Sequence, residues 1–227
     1  MSQSGTAPET PAMRVVVAVF GTIVAIAGMS HGYWELQQGN VATEGIYINS
    51  VGPEQLKWPI GQEPTFTLLP TFMATGIAAI FLGIVVTVWS IFFVHWRHGP
   101  LVLVSLFIAQ SLVGGGLGYI PFYLLVCAYS TRIGSPMMGF KRILSPRLRL
   151  FLASIWMPVT VGTAVIFLFL LEVALYGFFW EAIGSYRLMS WILAALIVTM
   201  ALMNLAFAAA DASDIENQEK PRTATEH

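Results

Sequence analysis

The sequence predicts an all-α, polytopic transmembrane helix bundle, and three observations point to it. Of 227 residues, 56% are hydrophobic and only 10% charged, far below the roughly 25% charged usage of soluble domains. The apolar residues gather into runs near 13–34, 68–96, 101–113, 117–130, 151–177 and 188–210, to be compared with the ~20 residues that cross a hydrocarbon core upright. Five of the eleven basic residues fall in a single connection, 132–149, which contains no acid. The expected architecture is one helical domain over 13–210 with about six membrane segments and both termini cytoplasmic. A disordered tail, 1–12, precedes it and a flexible polar tail, 211–227, follows.

The first segment, with Arg14 at its flank and no small-residue cleavage site, is expected to be an uncleaved helix. Gly21, Ala25, Gly28 and Gly32 recur at spacings of four, three and four, which places them along one face and lets another helix approach closely. Ordinary packing is favoured over a dedicated dimer motif. The outer loop, 35–67, carries Glu44, Glu54 and Glu63 against Lys57. Residues 45–49 allow one short strand, while Pro53, Pro59 and Pro64 argue against a larger sheet. The segment 68–96 would be ~43 Å long if wholly helical, so it is expected to tilt or to project beyond the hydrocarbon. Trp89 and Trp96 are its interface anchors, and residues 95–100 form a polar turn.

Gly114, Gly115 and Gly116, followed by Gly118 and Pro121, predict an interruption, because each interior Gly costs about 1 kcal/mol and Pro about 3 kcal/mol relative to Ala. The apolar runs on either side are too short to span upright. Three forms follow: two short tilted spans, a re-entrant hairpin, or one kinked span. The broken forms put nine basic residues inside and leave Lys57 and Arg187 outside, whereas a continuous span gives eight against three. The excess of inward charge favours the broken forms.

Composition also excludes function classes. A net charge of −1 without a clustered basic surface gives no nucleic-acid footprint. Cys127 is the single cysteine, so no intrachain disulfide framework or cysteine-type zinc cluster is expected. Phosphate loops, zinc-protease signatures and nucleophile elbows are missing from the sequence. No cofactor and no catalytic residue is assigned.

The candidate polar or ion site comprises His31, Glu35, Gln110 and Glu172. His31 and Glu35 are four apart at the outer end of the first segment, so on a helix they share a face and can hold a proton or a cation together. Glu172 and Gln110 fall in the outer parts of their segments. An acid at the bilayer centre costs about 2.5–3.5 kcal/mol on insertion scales, so Glu172 is expected to face protein or water. The plainer explanation is that His31 and Glu35 meet headgroups at a helix end. His95 and His98 lie at the opposite end from His31, which makes a bis-histidine haem geometrically unattractive. Asn204 is expected to join two helices by a hydrogen bond. Lys141, Arg142, Arg147 and Arg149 are candidate contacts with an anionic lipid surface, each contributing about 1 kcal/mol. The competing explanation is that they fix orientation alone.

The runs Ser30-His-Gly-Tyr-Trp-Glu-Leu-Gln-Gln-Gly-Asn40 and Glu63-Pro-Thr-Phe-Thr-Leu-Leu-Pro70, with the triple glycine, make the chain resemble a group of small bacterial multi-pass membrane proteins without an assigned function. The resemblance covers roughly residues 13–149. At 118–121 the chain has Gly-Tyr-Ile-Pro and departs from the Gly-Pro-Pro pattern of that group. It implies a bacterial cytoplasmic membrane and supplies no activity, substrate or site residue. The expected function is a non-enzymatic membrane component or partner subunit, in contact with the lipid bilayer and with a membrane-protein partner or a second copy. The alternative is a small transporter or ion-coupled protein using the outer-half polar cluster. A membrane-embedded enzyme acting on lipid ranks third.

Overall fold

The N-terminal helix, α1 (Pro11–Gln38), is the element around which the others assemble. The computed structural model describes residues 11–59, 61–133, 144–177 and 185–224. After α1 come a hairpin of β1 (Tyr47–Asn49) and β2 (Pro64–Phe66), then α2 (Phe72–Phe92), α3 (Gly99–Ser111), a 3₁₀ turn (Leu117–Tyr119), α4 (Ile120–Ser130), α5 (Pro146–Tyr176) and α6 (Ser185–Ala224). Four helices are long and apolar enough to cross a membrane, Ala12–Gln38, Phe72–Phe92, Pro146–Tyr176 and Tyr186–Asp214; Gly99–Ser111 and Leu117–Ser130 are shorter apolar helices. Outward-facing Phe81, Ile84, Val165, Phe169, Ile197 and Val198 form apolar surface of the kind that lipid covers.

Within α1, Val16, Val17, Phe20 and Val24 are fully buried against Leu103, Phe107, Val126, Phe167, Met203 and Phe207. Its small residues admit α2 closely. A Cβ on Gly32 would lie 2.7 Å from the Gly76 carbonyl oxygen, and one on Gly83 would lie 3.0 Å from the Ala25 carbonyl oxygen. The paired positions run in opposite order along the chain, so α1 and α2 are antiparallel. The glycine and alanine face predicted in α1 thus serves packing within the chain.

Several helix bounds depart from the sequence reading, among them the start of α5 at Pro146, inside the expected basic loop 132–149, where the Ser145 hydroxyl caps the helix, and three others each have a local reason. First, α1 starts inside the stretch expected as a tail. Pro11 supplies a pre-set φ at the first turn, and the Asp211 carboxylate accepts the amides of Ala12 at 3.0 Å and Met13 at 3.3 Å. Second, α2 starts at Phe72 and not near 68, because Pro70 blocks the helix and the Thr71 hydroxyl accepts the Ala74 amide at its N-cap. Leu68 is bonded instead to Leu112 and Thr67 is bridged to Val113, so the helix is ~31 Å long and not ~43 Å. Third, α6 continues through Ala224, where a flexible tail is expected from 211. Asp211 is 2% exposed and Ala206 to Ala210 are buried, so this part of the tail packs as helix.

The interruption at the glycines is real. Helix α3 ends at Ser111 and α4 starts only at Ile120, so no continuous kinked helix forms. Gly114 and Gly116 have φ of +103° and +83°, values that L side chains rarely adopt. The loop before α2 forms two short strands where one was allowed, with Pro64 at the first position of β2, a position that proline tolerates. Trp58 from this loop donates its indole N–H to the Ala174 carbonyl at 2.9 Å and lies over Gly177, the left-handed C-cap of α5. Lys141 and Arg142 lie outside the described residues. Arg147 is exposed on the first turn of α5, and Arg149 is partly buried there.

Candidate functional site

At the hairpin end of the bundle, α1 presents His31 and Glu35 one turn apart on its buried face, both fully shielded from solvent. The long connection folds back over them. Ser50, immediately after β1, donates its hydroxyl to Glu35 Oε1 at 2.8 Å and lies 3.0 Å from His31 Nδ1. With the Ser50 proton directed to the carboxylate, the tautomer that matches is the one with its hydrogen on Nδ1, donating to Ser50 Oγ. The other ring nitrogen, Nε2, lies 3.2 Å from Glu63 Oε2 and 3.3 Å from the Tyr119 hydroxyl. Tyr119 also stands edge-on to the imidazole, with ring centroids 5.2 Å apart. Glu63 has a 16% exposed side chain, so the chain of contacts from Glu35 through Ser50 and His31 reaches the surface.

The glycine segment closes this cluster from α3 and α4. Gly114 donates its amide to the Phe66 carbonyl at 2.8 Å, and Gly116 donates to Thr65 Oγ1 at 3.0 Å. A methyl on Gly114 would overlap both Glu35 carboxylate oxygens, and one on Gly116 would come 2.8 Å from His31 Nε2. The left-handed backbone and the close approach require glycine at both positions together. Glu35 Oε2 has no hydrogen-bond partner among the described residues. A buried polar atom without a partner costs about 1–3 kcal/mol, which makes Glu35 a candidate site residue.

Of the four residues singled out from the sequence, the structure joins His31 and Glu35 through Ser50 and places Gln110 beside the glycine segment without a side-chain contact to either. Gln110 is buried in the last turn of α3, one layer deeper than His31 and Glu35. Its Nε2 donates to the Ala25 carbonyl at 3.3 Å, while its own backbone carbonyl accepts the Gly115 amide at 2.8 Å. Tyr123 donates to the Gly115 carbonyl at 2.9 Å, which ties that layer to the glycine segment. Glu172 does not join them. It is exposed on α5 and makes no hydrogen bond or ion pair with the cluster among the described residues, because its helical phase turns it away from α1. Asn204 donates to the Met200 carbonyl of its own helix at 2.7 Å, and its side chain also meets the Tyr129 hydroxyl of α4, the kind of cross-helix contact expected of it.

Ser50, Glu63, Thr65 and Tyr119 escaped the sequence reading. Only Glu63 and Tyr119 carried a signal, the first as the opening residue of a dense Glu-Pro-Thr run and the second as the aromatic directly after the glycines. Among the described residues no three His, Cys, Asp or Glu side chains are placed to share a metal ion, and no lysine or arginine pairs with Glu35 or Glu63. Two carboxyls, an imidazole and hydroxyls in one chain of contacts are able to exchange a proton. Known protein families, characterised proteins and solved structures show no significant match to this chain.

Proposed function

We propose that this chain is a multi-pass protein of a bacterial cytoplasmic membrane, with both termini cytoplasmic and six membrane segments of which α3 and α4 are short, and that it is ion-coupled. The hairpin end then lies outside, and the polar cluster sits in the outer half of the membrane. The supporting observation is that His31 and Glu35, both fully buried, are held by one serine hydroxyl, with no lysine or arginine paired to Glu35 among the described residues. Intramembrane ionisable groups are expensive and are retained chiefly along ion or proton pathways. A broken helix bordering such a group is a recurring feature of transport sites. This favours the ion-coupled alternative over a passive partner subunit.

The test is flux in liposomes containing the purified full-length protein. Proton or cation movement down an imposed gradient, lost in Glu35→Gln and His31→Ala, is the expected result. Wild-type liposomes that behave like empty ones across gradients of protons, sodium, potassium and magnesium reject the reading.

A further inference from the structure

We infer that the coupled ion is a proton and that Glu63, His31, Ser50 and Glu35 form a wire delivering it from the surface to the buried carboxyl group. The inference rests on the ion-coupled reading above and specifies its ion and its route. The three links measure 3.2, 3.0 and 2.8 Å, all within hydrogen-bond reach. Each interior member both accepts and donates, which is the requirement for relaying a proton without moving a heavy atom.

The transfer balances. It begins with Glu63 protonated, its O–H directed at His31 Nε2, and with Nδ1–H donating to Ser50 and Ser50 O–H donating to ionised Glu35. The Glu63 proton moves to Nε2, the Nδ1 proton moves to Ser50 Oγ, and the Ser50 proton moves to Glu35 Oε1. The products are ionised Glu63, the Nε2–H tautomer of His31, an intact Ser50 hydroxyl now donating to Nδ1, and protonated Glu35. The net change is one proton carried from Glu63 to Glu35. All three hydrogen bonds survive with their direction reversed, so neither end state leaves a link unmade.

The surroundings favour this route. Tyr119 is the only other polar side chain at Nε2 among the described residues, and its hydroxyl at 3.3 Å can share the Nε2 hydrogen with ionised Glu63 once the proton has moved. Thr65 is committed to the Gly116 amide and Tyr123 to the Gly115 carbonyl, while Gln110 lies one layer deeper. Thr67 and Thr75 bond each other at 2.8 Å, which leaves the Ser50 hydroxyl as the one hydrogen-bonded link to Glu35 among the described residues. At the inner end Glu35 Oε2 has no hydrogen-bond partner among the described residues and lies against Gly114, so the wire ends at this carboxyl group.

The experiment is a pH jump from about 8 to 5 on the full-length protein in lipid, following the carboxylic-acid infrared band that disappears in Glu35→Gln. Ser50→Ala should slow the appearance of that band at least tenfold while leaving its final amplitude, and Ser50→Thr should restore the rate. Glu63→Gln, a change at a partly exposed loop position, should slow it similarly and provides the test if Ser50→Ala folds poorly. Unchanged rates in both Ser50→Ala and Glu63→Gln overturn the wire. If flux still depends on Glu35 in that case, the ion-coupled reading stands without it; if wild-type flux is absent, the reading itself fails.

Discussion

Gly114 and the Glu35 carboxyl group share a boundary so close that a single methyl on the glycine would overlap both carboxylate oxygens. The contact joins the interruption in the middle of the chain to the single acid of α1. Backbone conformation and site chemistry are thereby one structural feature, and changes at the glycines should act on the cluster.

Gly114→Ala should therefore cost about 2–4 kcal/mol, combining strain at a positive φ with displacement of a buried carboxyl group. Gly118→Ala is the internal control, because nothing lies within 4 Å of a Cβ there; it should change stability by less than about 1 kcal/mol. Thermal unfolding of both variants in detergent checks the contrast. Equal stabilities for the two would show that the left-handed geometry at 114 is not required.

His31→Ala and Glu35→Gln should be coupled by about 0.5–3 kcal/mol in a double-mutant cycle, since Ser50 connects the two side chains. Glu172→Gln should be additive with His31→Ala within about 0.5 kcal/mol, because Glu172 faces outward on α5. Stability measured from about pH 5 to 8, around the unperturbed histidine value near 6.5, provides the readout. Strict additivity of His31→Ala and Glu35→Gln would dissolve the cluster.

Two tyrosines one helical turn apart should respond differently to loss of the hydroxyl. Tyr123→Phe leaves the Gly115 carbonyl without its side-chain donor and should cost about 1–3 kcal/mol. Tyr119→Phe leaves Nε2 of His31 with Glu63 as a remaining partner and should cost less, about 0.5–1 kcal/mol. Chemical or thermal unfolding orders the pair.

Asp211→Ala should release the amides of Ala12 and Met13 and lower stability by about 1–2 kcal/mol, the usual effect of losing an N-terminal helix acceptor. Hydrogen exchange at the first turn of α1 should rise with it. Protection unchanged at Ala12 and Met13 would mean that the helix start does not depend on α6.

Single cysteines in a Cys127→Ser background test the proposed orientation. Gln38 should react with a membrane-impermeant thiol reagent in intact cells, whereas Gly139 and Asn217 should react only after permeabilisation. The reverse pattern would invert the protein in the membrane.

The membrane class, the apolar segments and the break at the glycines were legible in the sequence, because each depends on local quantities: hydropathy summed along a run, and the helix propensity of Gly and Pro. The pairing of His31 with Glu35 was legible too, since a spacing of four fixes a shared helical face. What joins them was not. Ser50 and Glu63 lie 15 and 28 residues beyond Glu35 in an irregular loop, and no periodicity in that loop indicates which side chain turns inward. Glu172 shows the converse. Its depth could be counted along the helix, but its direction follows from how α5 rotates against its neighbours. The same holds at residue 211, where a polar residue after an apolar run resembles the start of a tail until the unpaired amides of α1 are brought beside it. Long-range hydrogen bonds decide these points, and they depend on which helices meet and at what rotation, a property of the packed bundle and of no single segment.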